Sequence, residues 1–308
     1  MEKMLIATFL TLAIISSCFG QIPKVVGGTI NRFENFASKY VQPRNIDVWL
    51  PANYDSTRKY AVLYMHDGQM LFDSTITWNH QEWKVDETVT KLLQERKIRD
   101  VIIVGIWNNG IYRHAEYFPQ KPLADLPASI SDTLTSLELM LQPQADNYLL
   151  FLTRELKPFI DRQFATLPDR DNTFIAGSSM GGLISIYALC EYPNIFGGAA
   201  CLSTHWPGSL QRENELIPKA IDKYLIKKLP PARHHKIYFD YGTAALDSLY
   251  KPYQQLVDKT MKAKGYSGKN WITKEFTGDD HSERAWSKRL HIPLIFLLNN
   301  KKEAPNLP

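Results

Sequence analysis

The chain has 308 residues, 44% of them hydrophobic and 12% aromatic, enough for one large α/β domain or two small ones. Its formal net charge is only +4, with signs mixed along the chain and no basic run, which argues against a nucleic-acid partner. Three cysteines make no disulfide framework.

The chain opens on a targeting segment. Lys3 gives a positive start, and Leu5 to Ile15 is apolar but short for a membrane span. Two processing routes fit the following Ser16-Ser17-Cys18-Phe19-Gly20: ordinary signal cleavage before Gln21, or lipidation of Cys18 at a lipobox-like Ile15-Ser16-Ser17-Cys18. Ordinary cleavage is the preferred route. Either way the protein is expected to be exported, periplasmic or secreted, with a membrane contact only if Cys18 carries lipid. Residues 1–20 are set aside as signal peptide, and residues 21–40 read as an irregular N-terminal extension. A catalytic domain is expected over residues 41–300, and residues 301–308 are left as a tail.

Asn45-Ile46-Asp47-Val48-Trp49-Leu50 alternates like a strand with one wet face, ended by Pro51 and Asn53. Tyr60 to Met65 is a continuous apolar strand. Trp83 to Arg96 has helical spacing, with Val85, Val89, Leu92 and Leu93 apolar. Val101 to Ile106 is another buried strand, and Asn147 to Phe164 a helix. The run Thr173-Phe174-Ile175-Ala176 precedes Gly177-Ser178-Ser179-Met180-Gly181, after which Gly182 to Leu189 reads as a helix. Further strands are expected at Gly197–Leu202, Lys236–Tyr241 and Trp271–Phe276, and helices at Tyr253–Lys264 and Ser282–Leu298. Cys190 and Cys201 lie in this apolar part and read as small buried residues, although a bridge between them stays open in an oxidising compartment. Apolar strands alternating with amphipathic helices indicate a mostly parallel sheet covered on both faces, with ligands at the carboxyl ends of the strands.

The chemistry centres on G-x-S-x-G. A strand, a sharp turn and a helix around it make a strained elbow that lifts a serine above the sheet. Ser179 has Gly177 and Gly181 on either side, whereas Ser178 lacks that frame, so Ser179 is the candidate nucleophile. Serine needs a base, and the base an orienting partner. His281 follows the last strand in a glycine-containing loop and is the candidate base. His234 and His235 precede a strand, at the wrong end of the sheet, and His291 lies inside the closing helix. His205 follows a strand but precedes the acid candidates, and reads as a pocket wall. The acid is expected after Lys236–Tyr241. Asp247 is chosen over Asp240, which is still within the strand, and over Asp279 and Asp280, which read as loop formers. The oxyanion hole needs two backbone N–H donors. Met180 supplies one, and the loop His66-Asp67-Gly68-Gln69-Met70 the other, with Gln69 chosen and Gly68 and Met70 as neighbours. Arg113, Tyr117, His205 and Trp206 follow strands and are expected to contact substrate. Trp78, His80 and Trp83 lie beyond the oxyanion loop. Arg113 and Glu116 are expected to pair with each other.

The order and spacing of these pieces resemble the esterase D-like family of the α/β-hydrolase fold, which includes feruloyl, acetylxylan and enterochelin-type esterases. The resemblance covers residues from about 40 to 300. It is carried by His66-Asp67-Gly68-Gln69 before Leu71-Phe72, by Trp83-x-Val85-Asp86 and by Arg113-x-x-Glu116-Tyr117. Gly177 to Gly182, Tyr241-Gly242-Thr243 before Asp247, and His281 ahead of Trp286 complete it. It implies an α/β-hydrolase domain with Ser179, Asp247 and His281 as triad and with no metal or organic cofactor. One departure is that the aspartate comes later after Gly-Thr than in some relatives. The expected activity is hydrolysis of a small-molecule or carbohydrate-linked ester, with phenolic and siderophore esters open. The alternatives are an acyltransferase with the same triad and a non-catalytic ligand-binding protein on this scaffold.

Overall fold

The computed structural model describes residues 20–139, 141–209 and 215–299. Residues 1–19 of the expected signal peptide, with Cys18, and the expected tail over residues 301–308 lie outside them. The strands are β1 (Thr29–Phe36), β2 (Arg44–Leu50), β3 (Ala61–His66), β4 (Val101–Ile106), β5 (Thr173–Ser178), β6 (Gly198–Leu202), β7 (Lys236–Gly242) and β8 (Trp271–Phe276). They form one sheet in the order β1-β2-β4-β3-β5-β6-β7-β8, antiparallel at β1/β2 and β2/β4 and parallel from β4 to β8. This is the α/β-hydrolase fold.

The helices are α1 (Val85–Gln94), α2 (Arg113–Tyr117), α3 (Ala128–Thr133), α4 (Ala145–Leu150), α5 (Lys157–Gln163), α6 (Met180–Glu191), α7 (Leu216–Lys228), α8 (Lys251–Ala263), α9 (Glu283–Arg289) and α10 (His291–Leu298). The expected helix over 147–164 spans α4, a wide π turn at Phe151–Leu156 and α5. Pro158, which has no N–H for the preceding turn, sits just after the widening. The expected closing helix is two, because Pro293 can neither donate to nor clear the Arg289 carbonyl, so α9 ends there.

Strand alternation divides the core in two. Val62, Tyr64, Ile102 and Val104 point to one face, against α6 and the α4–α5 rod. Leu63, Met65, Ile103 and Ala176 point to the other, with Trp49, Trp83, Trp286 and α10. Helix α6 is buried from Met180 through Cys190, which is why its sequence is apolar on every side. Cys190 and Cys201 are free and buried, and burial pushes both thiols up.

The boundary at residue 40 is corrected. Residues 29–36 are the sheet's edge strand, with Thr29 opposite Leu50 and Phe36 opposite Arg44. An irregular register between Phe33 and Phe36 hides its alternation. Ahead of β1, residues 20–27 run as a strap. The Lys24 and Val26 N–H groups donate to Asp73 Oδ2 (2.9 Å) and Asp86 Oδ2 (2.6 Å), and the Gly27 carbonyl accepts from Trp49 Nε1 (2.7 Å).

Candidate active site

The elbow joins β5 to α6. Ser179 has φ 57° and ψ −122°, a backbone conformation that side-chain-bearing residues seldom hold and that clusters at functional sites. Its neighbours must be bare. A Cβ on Gly177 would lie 2.8 Å from the Gly181 carbonyl carbon and oxygen. The turn is tied down by the Ser179 N–H to Leu202 O (3.0 Å) and by the His205 N–H to Ser179 O (3.2 Å). Ser179 is half-buried, Ser178 buried.

His281 and Asp247 arrive side by side because β7 and β8 pair to their last residues, Gly242 opposite Phe276. The two exit loops are then zipped together: the Asp279 carbonyl accepts from the Thr243 and Ala244 N–H groups (3.1 and 3.0 Å). That contact leaves no room at Gly242, where a Cβ would stand 2.1 Å from Asp279 O. Ser282 caps α9 by accepting from the Ala285 N–H, which fixes where the loop ends. His281 Nδ1 lies 2.6 Å from Asp247 Oδ1. The imidazole packs edge-on against Trp286 (ring centroids 5.0 Å apart) and Tyr250 (5.7 Å).

Asp247 is fully buried. Burial alone would raise its pKa. The bonds from His281, from the Ser203 hydroxyl (2.5 Å) and from the Gly242 N–H (2.6 Å) outweigh that and hold the carboxyl below its usual range. It is therefore an anion facing His281 across neutral pH.

Behind Asp247 lies a polar network that sequence reasoning missed. Arg289 is 2% exposed, and its Nη2 donates to Asp240 Oδ1 (3.0 Å) and Ser203 Oγ (2.9 Å), its Nη1 to Asp279 Oδ2 (3.0 Å). Ser203 Oγ also accepts from Trp286 Nε1 (2.9 Å). Burial pushes Asp240 up to about 6 against the pull of Arg289. The signal was available: Arg289 falls on the same helical face as Ala285 and Trp286, and a charge on a buried face needs a partner.

On the other side of the elbow, β3 pairs with β5, Met65 opposite Ala176, so the loop after β3 reaches the start of α6. A Cβ on Gly181 would come 3.3 Å from His66 Cβ. Residues Gly68–Met70 form one 3₁₀ turn entered through Asp67 at φ 55°. Gln69 and Met180 thus each lie in the first turn of a helix, where N–H groups lack intrahelical partners. The Gln69 side chain is used elsewhere, with Oε1 accepting from the Asn108 N–H (3.1 Å). His66 anchors the loop: Nδ1 lies 2.9 Å from the Tyr148 hydroxyl, and burial lowers its pKa to about 3.

Of the expected substrate contacts, two keep surface outside the core. Arg113 grips both oxygens of Asp67 (2.7 and 2.8 Å) with its side chain 23% exposed. His205 lines a cavity of about 440 Å3 with Pro207, Leu246, Leu249 and Tyr253. The other two are corrected. Trp206 is 1% exposed, packs on Phe239 and donates its indole N–H to Gln254 (2.7 Å); Tyr117 has no exposed surface. Both are core residues, with no face left for a ligand. Trp83 likewise packs on Trp286 (5.4 Å), while Trp78 is 81% exposed. The Arg113–Glu116 pair is also replaced. Glu116 is held by Arg44 through two bonds (2.7 and 2.6 Å), because α2 turns it inward while Arg113 reaches Asp67. Among the described residues no group of three or more His, Cys, Asp or Glu is arranged to hold a metal ion.

Comparison with known proteins gives this arrangement relatives. The uncharacterized protein YjcH of Bacillus subtilis (strain 168) is 23% identical over 224 residues, 71% of this chain and 75% of that protein. Among solved structures, a ferulic acid esterase superposes with a TM-score of 0.64 at 19% identity, covering 88% of this chain and 98% of that one. The enterobactin esterase FES from Shigella flexneri superposes with a TM-score of 0.65 at 18% identity, covering 89% of this chain but only 60% of its own. At such identity the structures speak for the shared fold. The family described as Putative esterase matches residues 38–297, so the chain belongs to that family and is a carboxylic ester hydrolase.

Proposed function

We propose that the chain is an exported serine esterase in which Ser179 attacks the ester carbonyl and forms an acyl-enzyme. Two observations carry this reading: the buried Asp247 carboxylate held 2.6 Å from His281 Nδ1, and the strained elbow on which Ser179 stands. With Nδ1–H committed to Asp247, His281 Nε2 is the nitrogen left to take the serine proton and return it to the leaving alcohol. Asp247 fixes that tautomer and stabilises the imidazolium. The Met180 and Gln69 N–H groups receive the oxyanion. Water, deprotonated by His281, then releases the acid. Arg113 and His205 are the retained substrate contacts. A neutral, mainly apolar cavity beside His205 suits an uncharged ring, in keeping with phenolic or sugar-linked esters.

The test is turnover of p-nitrophenyl acetate, methyl ferulate, acetylated xylan and a catecholate trilactone by the wild type, Ser179→Ala and Asp247→Asn. Ser179→Ala should abolish turnover, and Asp247→Asn should lower kcat by about 10⁴-fold through the wrong imidazole tautomer. Undiminished turnover by folded Ser179→Ala would exclude the mechanism. Export is tested by sequencing the N-terminus of protein recovered outside the cytoplasm, with Gln21 or lipidated Cys18 as the first residue under the two routes.

A further inference from the structure

A second cavity, of about 430 Å3, opens at the end of the sheet opposite Ser179. Its walls come from residues just ahead of strands: Arg170 and Asp171 before β5, Arg233 before β7 and Lys269 before β8. Arg99 and Lys236 complete the ring. The elbow leaves the other end of β5, a strand of 6 residues, so about 20 Å separates this cavity from Ser179. The charge here is one-sided. Five cationic side chains meet one carboxylate, an excess equal to the formal +4 of the whole chain, so the rest of the chain balances to neutrality. Arg170 donates twice to Asp171 Oδ1 (3.0 and 2.8 Å). Among the described residues Arg99 bonds only neutral oxygens: Asn172 Oδ1 (2.8 Å) and the Asp171 and Asn299 carbonyls (3.4 and 3.2 Å). Lys236 Nζ donates to the Phe296 carbonyl and to Asn299 Oδ1 (both 2.9 Å). Arg233 and Lys269 are exposed, and neither side chain has a hydrogen bond or ion pair among the described residues.

Like charges around one concavity raise its potential and draw in an anion. We propose that this cavity is a binding site for a small organic phosphate, separate from the ester site and independent of its chemistry. The charge selects the class. A carboxylate or a sulfate ester brings one negative charge, enough for Arg99 alone. A phosphomonoester brings nearly two, with three strong acceptor oxygens, and a pyrophosphate brings more. Such a group takes charge-assisted bonds from Arg233 and Lys269 as well, and guanidinium forks suit its geometry. A bare phosphate would leave most of the cavity unfilled. Phe174, whose ring centroid lies 5.9 Å from the Arg99 guanidinium, gives the organic part an apolar wall beside the charge. The same phosphate can be carried by a soluble molecule or by a lipid headgroup.

The test is calorimetric titration of the protein with pyrophosphate and with glucose 1-phosphate at fixed ionic strength. Sedimentation with phosphatidylcholine vesicles that carry or lack phosphatidic acid runs beside it. Saturable binding is expected, which acetate and methyl sulfate at the same concentration do not displace. Arg233→Ala and Lys269→Ala should each weaken it by about 10-fold or more, the contribution of one charge-assisted hydrogen bond. Both side chains are exposed and make no bond in the fold, so the variants should keep wild-type melting and p-nitrophenyl acetate turnover. Binding of the soluble phosphates assigns a free ligand. Sedimentation only with phosphatidic acid, lost in the double variant, assigns a headgroup. No saturable binding in either arm, an affinity unchanged in the double variant, or displacement by acetate overturns the proposal.

Discussion

Replacing Arg289 by Met tests whether the network behind Asp247 is held together by charge. The guanidinium is 2% exposed and meets two carboxylates and a hydroxyl within 3.0 Å. Met fills much of its volume but leaves Asp240, with no exposed surface, as an uncompensated anion. Breaking one side of a buried ion pair costs about 3–5 kcal/mol. Asp240 already sits at about 6 with Arg289 opposing the rise, so without the guanidinium its folded pKa moves higher still. The sign follows. A carboxyl whose pKa is higher folded than unfolded binds its proton more tightly in the folded state. The variant therefore regains stability relative to wild type as pH falls through the new pKa towards 6. Urea denaturation of wild type, Arg289→Met, Asp240→Asn and the double variant, at pH 6 and pH 8.5, reads both effects. The variant's deficit should be smaller at pH 6, and the two substitutions should couple by about 2 kcal/mol or more at pH 8.5. Effects that add to within about 0.5 kcal/mol, or a deficit indifferent to pH, would refute an electrostatic role and leave Arg289 as packing.

Gly177→Ala forces a Cβ to within 2.8 Å of the Gly181 backbone and must open the elbow; kcat should fall by about 100-fold or more, while circular dichroism stays native. Trp206→Phe removes the donor to buried Gln254 and should cost about 1–3 kcal/mol in denaturant melts with KM unchanged, since the indole touches no substrate. For His205, the folded pKa of about 3 lies below the unfolded value, so the unfolded chain alone takes up the proton as pH drops below about 6.5. Wild type should lose stability relative to His205→Asn by about 1.4 kcal/mol per pH unit between about pH 6 and pH 4, and parallel stability curves would contradict a buried neutral imidazole.

The strands whose both faces are buried, Ala61–His66 and Val101–Ile106, were legible as apolar runs because burial on both sides leaves composition little freedom. The elbow was legible because a tight turn bans side chains at fixed offsets from Ser179. Strand β1 was not, because an edge strand pairs through its backbone and tolerates Asn31, Glu34 and Asn35 facing water. Trp206 and Tyr117 were misread for a related reason. Position after a strand says which end of the sheet a residue occupies, not whether its ring turns inward. Tyr250, Ser203 and Arg289 escaped because, Asp279 apart, the hydrogen-bond partners of their side chains lie 44 to 86 positions away in the chain, where no local pattern reaches. His66 anchors its loop because an imidazole closing an apolar strand is carried into the core, where the Tyr148 hydroxyl meets it.

The strap over residues 20–27 holds buried carboxylates by its peptide groups. Asp86, pushed up to about 7 by burial and without exposed surface, receives its strap bond from the N–H of Val26, whose own side chain is 79% exposed. An alanine scan would pass over Val26 in silence, and drift at that position costs nothing so long as the residue keeps a hydrogen on its nitrogen. Proline is the exception, since it alone lacks that hydrogen. The segment is thus specified by the route it takes, and a family profile built on side-chain identity will find it blank although two buried carboxylates take bonds from it.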